Sequence, residues 1–262
     1  MTERKYAANF GFSTGRGGAH SSRTIMLNEL SALLATVGNI SASKETYLQA
    51  IDIENCLGKR SGKTRILTFK HLVELYALDA ACTLFRALRY FWQRDQAGQP
   101  LSALLCAYAR DPLLSMATPF ILAFPPGTTV GRETVESCIE VANPERFSKA
   151  TLKSTAQNIN ASLTKSGHLM GKARKIRTIS NPTAGNVAYA LLLGYLSGVR
   201  GENLFKTEYV KLLDCTVERA MELAEEASRK GWITFKRVGN VMEVLFPNLL
   251  TPQEMEWIRE QN

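Results

Sequence analysis

Apolar residues recur at helical spacing through most of the chain, and turn-forming residues mark where each helix stops. Ile25, Leu27, Leu30, Leu33 and Leu34 make one stripe over residues 21–36. Ser43, with Glu45 behind it, opens a short helix through Ile51. Helices are predicted over 64–76 and 79–92, the second with Leu84, Phe85, Leu88, Phe91 and Trp92 on one face. Two more follow, at 101–110 behind Pro100 and from Asp111-Pro112 to the break at Pro125-Pro126-Gly127. Residues 129–141 then read as a helix, Asn143-Pro144 as a turn, and Ser148 as the cap of a long helix, 149–165, stopped at Ser166-Gly167. The run Gly171-Lys172-Ala173-Arg174-Lys175-Ile176-Arg177-Thr178-Ile179 alternates sides and predicts a strand, ended by Asn181-Pro182. Helices at 184–196 and 217–229 come next, then Gly231 and a hairpin, 232–237 with 241–246, across Val238-Gly239-Asn240.

The fold class is therefore mainly α, a helical N-terminal domain followed by winged helix-turn-helix-like modules. Helix, turn, helix and then a basic strand is the winged order, and a helix followed by a hairpin near the end repeats it. Four parts result. Residues 1–20, with Gly11, Gly15, Gly17 and Gly18 around Ser13, Thr14 and Arg16, are expected to be a flexible arm. Residues 21–125 form the helical domain, 126–182 the central winged-helix domain, and 183–262 a helix plus hairpin module. No repeat recurs at a fixed period.

At 262 residues the chain can bury a sizeable core, and 45% apolar with 21% charged residues is a globular composition. The longest nearly apolar stretch, 187–199, is too short for a bilayer span of about 18 residues. Met1-Thr2-Glu3-Arg4-Lys5-Tyr6 leads into no apolar signal segment. Cys56, Cys82, Cys106, Cys138 and Cys215 are scattered, without metal-ligand spacing, and read as reduced core residues. A cytoplasmic protein with no membrane, metal or cofactor is expected.

Charge changes the picture. Net charge is +8 overall, but +5 over 1–125, +5 over 126–202 and −2 over 203–262. From Arg146 to Arg177 the cations Arg146, Lys149, Lys153, Lys165, Lys172, Arg174, Lys175 and Arg177 stand without one acidic residue. Lys149, Lys153, Gln157 and Asn160 share neighbouring faces of the long helix. Cations beside small hydroxyl and amide side chains suit phosphate oxygens and base edges, whereas a merely solvated helix mixes signs. A second cluster, Gly58-Lys59-Arg60-Ser61-Gly62-Lys63-Thr64-Arg65, ends like a phosphate-binding loop. Yet Leu57 stands where that loop needs its first glycine, so a nucleotide loop is set aside. A helix N-terminus with Lys59, Arg60, Lys63 and Arg65 around it is expected to seat one DNA phosphate instead.

Catalysis finds little support. His20, His71 and His168 have no partner at ligand spacing. His168 follows a helix stop and reads as a polar turn residue or phosphate contact. Asp111-Pro112 reads as a helix start, and Glu133, Glu136 and Glu140 as a solvated face.

Certain segments resemble the BrxA family, accessory proteins of BREX bacteriophage-defence systems. They are Phe12-Ser13-Thr14-Gly15, Glu54-Asn55-Cys56-Leu57-Gly58-Lys59-Arg60, Ala109-Arg110-Asp111-Pro112-Leu113-Leu114, Phe147-Ser148-Lys149-Ala150-Thr151-Leu152 and Ser166-Gly167-His168-Leu169. The likeness covers about residues 6–170 and leaves the chain beyond Thr178 outside it. It implies an all-helical fold with small winged parts, DNA binding without catalysis, and other BREX-system proteins as partners. By position it implies Lys59, Arg60, Lys63, Arg65, Lys149, Lys153, Lys172, Arg174, Lys175 and Arg177 as contacts. The expectation is thus a non-enzymatic protein holding the phosphate backbone of double-stranded DNA. Structured RNA, an acidic partner protein and a homo-oligomer remain as alternatives.

Overall fold

The computed structural model describes residues 7–13, 15, 17–239 and 241–260. Residues 1–6, Thr14, Arg16 and Asn240, which entered the readings of the N-terminus, the arm and the hairpin turn, lie outside the described residues.

The chain is mainly helical, as its periodicity predicts. The first half carries α1 (Leu27–Thr36), α2 (Lys44–Asp52), α3 (Gly62–Tyr76), α4 (Thr83–Arg94), α5 (Gln99–Arg110) and α6 (Pro112–Leu122). Their starts follow capping chemistry: Ser61 accepts the Thr64 amide before α3, and Asp111 accepts the Leu113 and Leu114 amides before α6. α1 starts later than its leucine stripe predicts, because the residues before it are bonded elsewhere. The Ser162 hydroxyl accepts the Ile25 amide, the Tyr76 hydroxyl donates to the Ile25 carbonyl, and Met26 turns in at φ 46°.

The middle of the chain is β1 (Thr129–Val130), α7 (Arg132–Ala142), α8 (Lys149–Lys165), β2 (Leu169–Met170) and β3 (Lys175–Arg177). β3 lies between the other two strands, antiparallel to both, with Thr129 and Met170 flanking Ile176. The helix predicted from Thr129 thus begins at Arg132, since β-branched Thr129 and Val130 pair with β3. α9 (Ala184–Leu196), buried nearly all round, is the central helix, with α4 and α5 packed against it. Thr183 and Asn186 cap it reciprocally, and Asp95 accepts the Thr183 hydroxyl and the Gly185 amide.

After α9 come α10 (Glu208–Lys211), α11 (Val217–Arg229), which also packs on α9, the hairpin β4 (Thr234–Val238) with β5 (Val241–Leu245), and α12 (Pro252–Arg259). The last helix escaped the periodicity reading, although Thr251 and Glu254 form a capping box around Pro252. Buried Glu254 reaches back to Arg86 at 2.6 Å and to the Thr83 hydroxyl, fastening α12 to α4. Buried apolar residues from Phe10 to Ile258 form one cluster.

The opening segment belongs to that cluster, which corrects the expected flexible arm for its described residues. Residues 7–10 are helical, Phe10 is buried and edge-on to Trp257 at 5.9 Å, and the Ser13 amide donates to the Ala109 carbonyl. The glycines serve close approach: a Cβ on Gly18 would lie 2.1 Å from an Asp111 carboxylate oxygen.

A buried chain of polar groups completes this clasp. His20 Nδ1 lies 2.8 Å from Asp111 Oδ2, and Nε2 lies 2.9 Å from Ser162 Oγ. Serine, histidine and aspartate stand in line, but all three are buried, and Ser162 also accepts the Ile25 amide and donates to the Asn158 carbonyl. The group joins the N-terminal segment to α6 and α8. Burial opposes ionisation of Asp111, yet the His20 ring and the Leu114 and His20 amides outweigh it and hold the carboxyl below its ordinary value. A depressed carboxyl contributes stability above the unfolded value of about 3.9, and that contribution is lost as pH falls through the lower folded value. Asp111→Asn should therefore destabilise the protein at neutral pH and flatten its loss of stability below about pH 4. Urea melts across pH check this, and an unaltered acid limb would refute it.

Candidate nucleic-acid interface

α8 is the helix on which the site is built. Ser148 accepts the Thr151 amide at its start, and Thr155, Ala156, Ile159 and Leu163 face the core. One flank is covered by the segment before α1: Asn158 donates to the His20 carbonyl, Ser154 to the Ser21 carbonyl, and Lys165 to the Thr24 hydroxyl. The open edge carries Lys149, Lys153 and Gln157, all exposed and one turn apart. Those eight residues of helix rise about 12 Å.

Beside this edge stands the turn between β2 and β3. Gly171 takes φ +96°, and a Cβ there would lie 2.1 Å from the Arg174 carbonyl oxygen, so the turn requires glycine. Lys175 Nζ donates to the Gly171 carbonyl at 2.7 Å and clasps the turn, while partial burial lowers its pKa. Arg174 Nε donates to Thr129 Oγ1 at 2.9 Å, laying the guanidinium over β1. Lys172 is exposed.

Helix and turn enclose a cavity of about 610 Å³ lined by Gln157, Asn160, Lys172, Arg174, Lys175 and the start of α7. Five of the residues expected from sequence meet here, and Lys149 and Lys153 extend the same edge. Asn160 is buried within that lining, and its side-chain oxygen has no hydrogen-bond partner. Glu133 brings a carboxylate to the rim, paired with Arg132 at 2.6 Å. Gly131 heads α7 without a side-chain cap. Sequence reasoning missed Thr129, Gly131 and Arg132, because it placed them in or before an uninterrupted helix. The β-branched Thr129-Thr-free pair with Val130, followed by Gly131, was the available signal for a strand.

Other expected contacts lie elsewhere. Arg177 is buried, 2% exposed, and holds Asp214 through both terminal nitrogens at 2.7 and 2.8 Å. It is a structural cation and leaves the list of contacts. Lys59 pairs with Glu29 at 3.1 Å, and Arg65 with Asp52 at 3.4 Å. Both are committed to carboxylates, half-buried, and outside the cavity. Arg60 and Lys63 are exposed around the start of α3, also outside it. The charge of Lys165 acts on Glu29 as well, so the first basic segment approaches the far end of α8. His168, expected at a turn or on phosphate, is buried between the Ser166 hydroxyl and the Leu212 carbonyl, each at 2.8 Å. Burial lowers its pKa, which suits a neutral structural ring.

Among the described residues no three His, Cys, Asp or Glu side chains gather closely enough to hold a metal ion, and no helix is long and apolar enough to cross a membrane. No protein-family model matches the chain, and no curated protein or solved structure is significantly similar to it.

Proposed function

We propose that this protein binds the phosphate backbone of double-stranded DNA through the open edge of α8 and the β2–β3 turn, without catalysis. The observation that carries the reading is the meeting of Lys149, Lys153 and Gln157 with Lys172, Arg174 and Lys175 around one cavity. The order α6, β1, α7, α8, β2, β3, with β3 central in the sheet, supports a winged helix-turn-helix in which α8 is the recognition helix. The 171–174 turn is then the wing. α9, α10, α11 and the β4–β5 hairpin support a second module of the same kind, whose wing ion pair of Lys236 with Glu243 leaves it less suited to a polyanion. Together with the BrxA resemblance, this reading makes the protein an accessory component of a phage-defence system, working beside its other proteins.

Five cations stand on the site without a carboxylate partner: Lys149, Lys153, Lys172, Arg174 and Lys175. If each neutralises one phosphate, log affinity falls with log salt at a slope of about −4.5, a loss of about 500-fold between 50 and 200 mM. Fluorescence anisotropy with a labelled duplex measures the slope. A flat response would sink the mechanism, and an RNA hairpin that outcompetes the duplex would move it to RNA.

A further inference from the structure

We propose that the cavity between α8 and the wing receives one unstacked nucleotide of the bound strand, its base on Asn160 and its phosphate on the cationic rim. This rests on the interface reading above and adds what the site selects. A cavity of about 610 Å³ exceeds what backbone phosphates riding on an exposed helix edge require. Its chemistry is divided by depth. The rim carries Lys172, Arg174 and Lys175, groups that hold phosphate oxygens. The buried wall carries Asn160, 4% exposed, whose carbonyl oxygen lacks a donor.

That oxygen discriminates between ligands. A phosphate diester offers only acceptors and is repelled by a second acceptor. A nucleobase edge offers an exocyclic amine to the oxygen and a ring nitrogen to the amide hydrogens, the pairing a carboxamide makes with adenine. A buried acceptor left unpaired is costly, so a ligand that supplies the donor is favoured over water-filled space. Gln157 stands at the mouth one turn earlier, where its amide reaches the same edge. In a paired duplex the base is stacked and its edge is held by its partner. A base already extruded avoids the unstacking cost and enters directly.

The test compares two duplexes of equal length by anisotropy, one fully paired and one with a single bulged adenosine, on the full chain. The bulged duplex should bind about tenfold tighter, within what one bidentate base contact supplies. Asn160→Leu should bring the two affinities together while leaving paired-duplex affinity within about twofold. Should that variant fail to fold, Ala161→Phe, from the half-buried lining, plugs the same space and must erase the same preference. Wild-type protein binding both duplexes alike would overturn the proposal, as would a preference that survives both substitutions. Free AMP held tightly in equilibrium dialysis, with the duplexes bound alike, would assign the cavity to a free nucleotide and overturn the strand assignment. Failure of the interface reading is distinguishable, because Lys149→Ala with Lys153→Ala would then leave both duplexes unaffected.

Discussion

With Lys149, Lys153, Lys172, Arg174 and Lys175 all changed to Ala, duplex affinity at about 0.1 M salt is expected to fall by about 10⁴-fold, with the salt slope near zero. The size follows from counterion release. Each neutralised phosphate contributes about −0.9 to the slope, so five contribute about four and a half decades between 1 M and 0.1 M salt. Four of the five side chains are exposed and Lys175 is half-buried, so stability should change by no more than a few tenths of a kcal/mol at each position. The subset Lys149→Ala with Lys153→Ala separates helix from wing: it should reduce the slope by about 1.8 and weaken unrelated duplexes equally. Anisotropy titrations at several salt concentrations, with denaturation melts on the same samples, provide both readouts. A variant that is fully folded and binds as tightly as wild type would remove these residues from the interface.

Arg177→Ala should do the opposite, lowering unfolding free energy by about 3–5 kcal/mol while leaving the binding of the molecules that remain folded unchanged. Arg177 spans β3 and the segment after α10. Its guanidinium holds Asp214 through two hydrogen bonds and the His168 and Thr178 carbonyls through Nη1. Asp214 also accepts the Ser180 amide. Removing the cation leaves a carboxylate with 18% exposure and buried carbonyls without donors, which is the expensive way to break a buried pair. Replacing both partners, Arg177→Met with Asp214→Leu, should recover much of the loss, since neither charge then stays behind. Chemical denaturation of the two variants decides: a double variant no better than Arg177→Ala would show that the carbonyl bonds dominate.

The two sets of basic residues cannot be told apart by composition. The acid-free run from Arg146 to Arg177 is continuous in sequence, yet its last member is buried while Lys172 is exposed. Other arginines in the net charge are also internal. Arg89, fully buried, donates to the Leu34, Val37 and Gly38 carbonyls at the end of α1, and Arg110 to those of Gly11, Val73 and Glu74. Cations at helix C-termini satisfy carbonyls that the helix leaves open. In a sequence they read as surface charge, so a net charge of +8 overstates what faces a ligand.

Local rules determined much of this protein. The 3.6-residue period located α8 and α9 to the residue, and Ser148, Ser61 and Asp111 announced their helix starts because capping depends on neighbours three residues away. The basic edge Lys149, Lys153, Gln157 follows from the same period. The tertiary structure decided whatever depends on distant partners. It sent Thr129 and Val130 to β3, packed the glycine-rich opening onto Asp111 and Trp257, set Glu29 and Asp52 beside Lys59 and Arg65, and closed Asp214 on Arg177. Helix propensity and capping act through contacts within a turn, so a string of residues states them. Ion pairing and burial act through space, and only the folded chain brings residues such as Arg177 and Asp214 within reach.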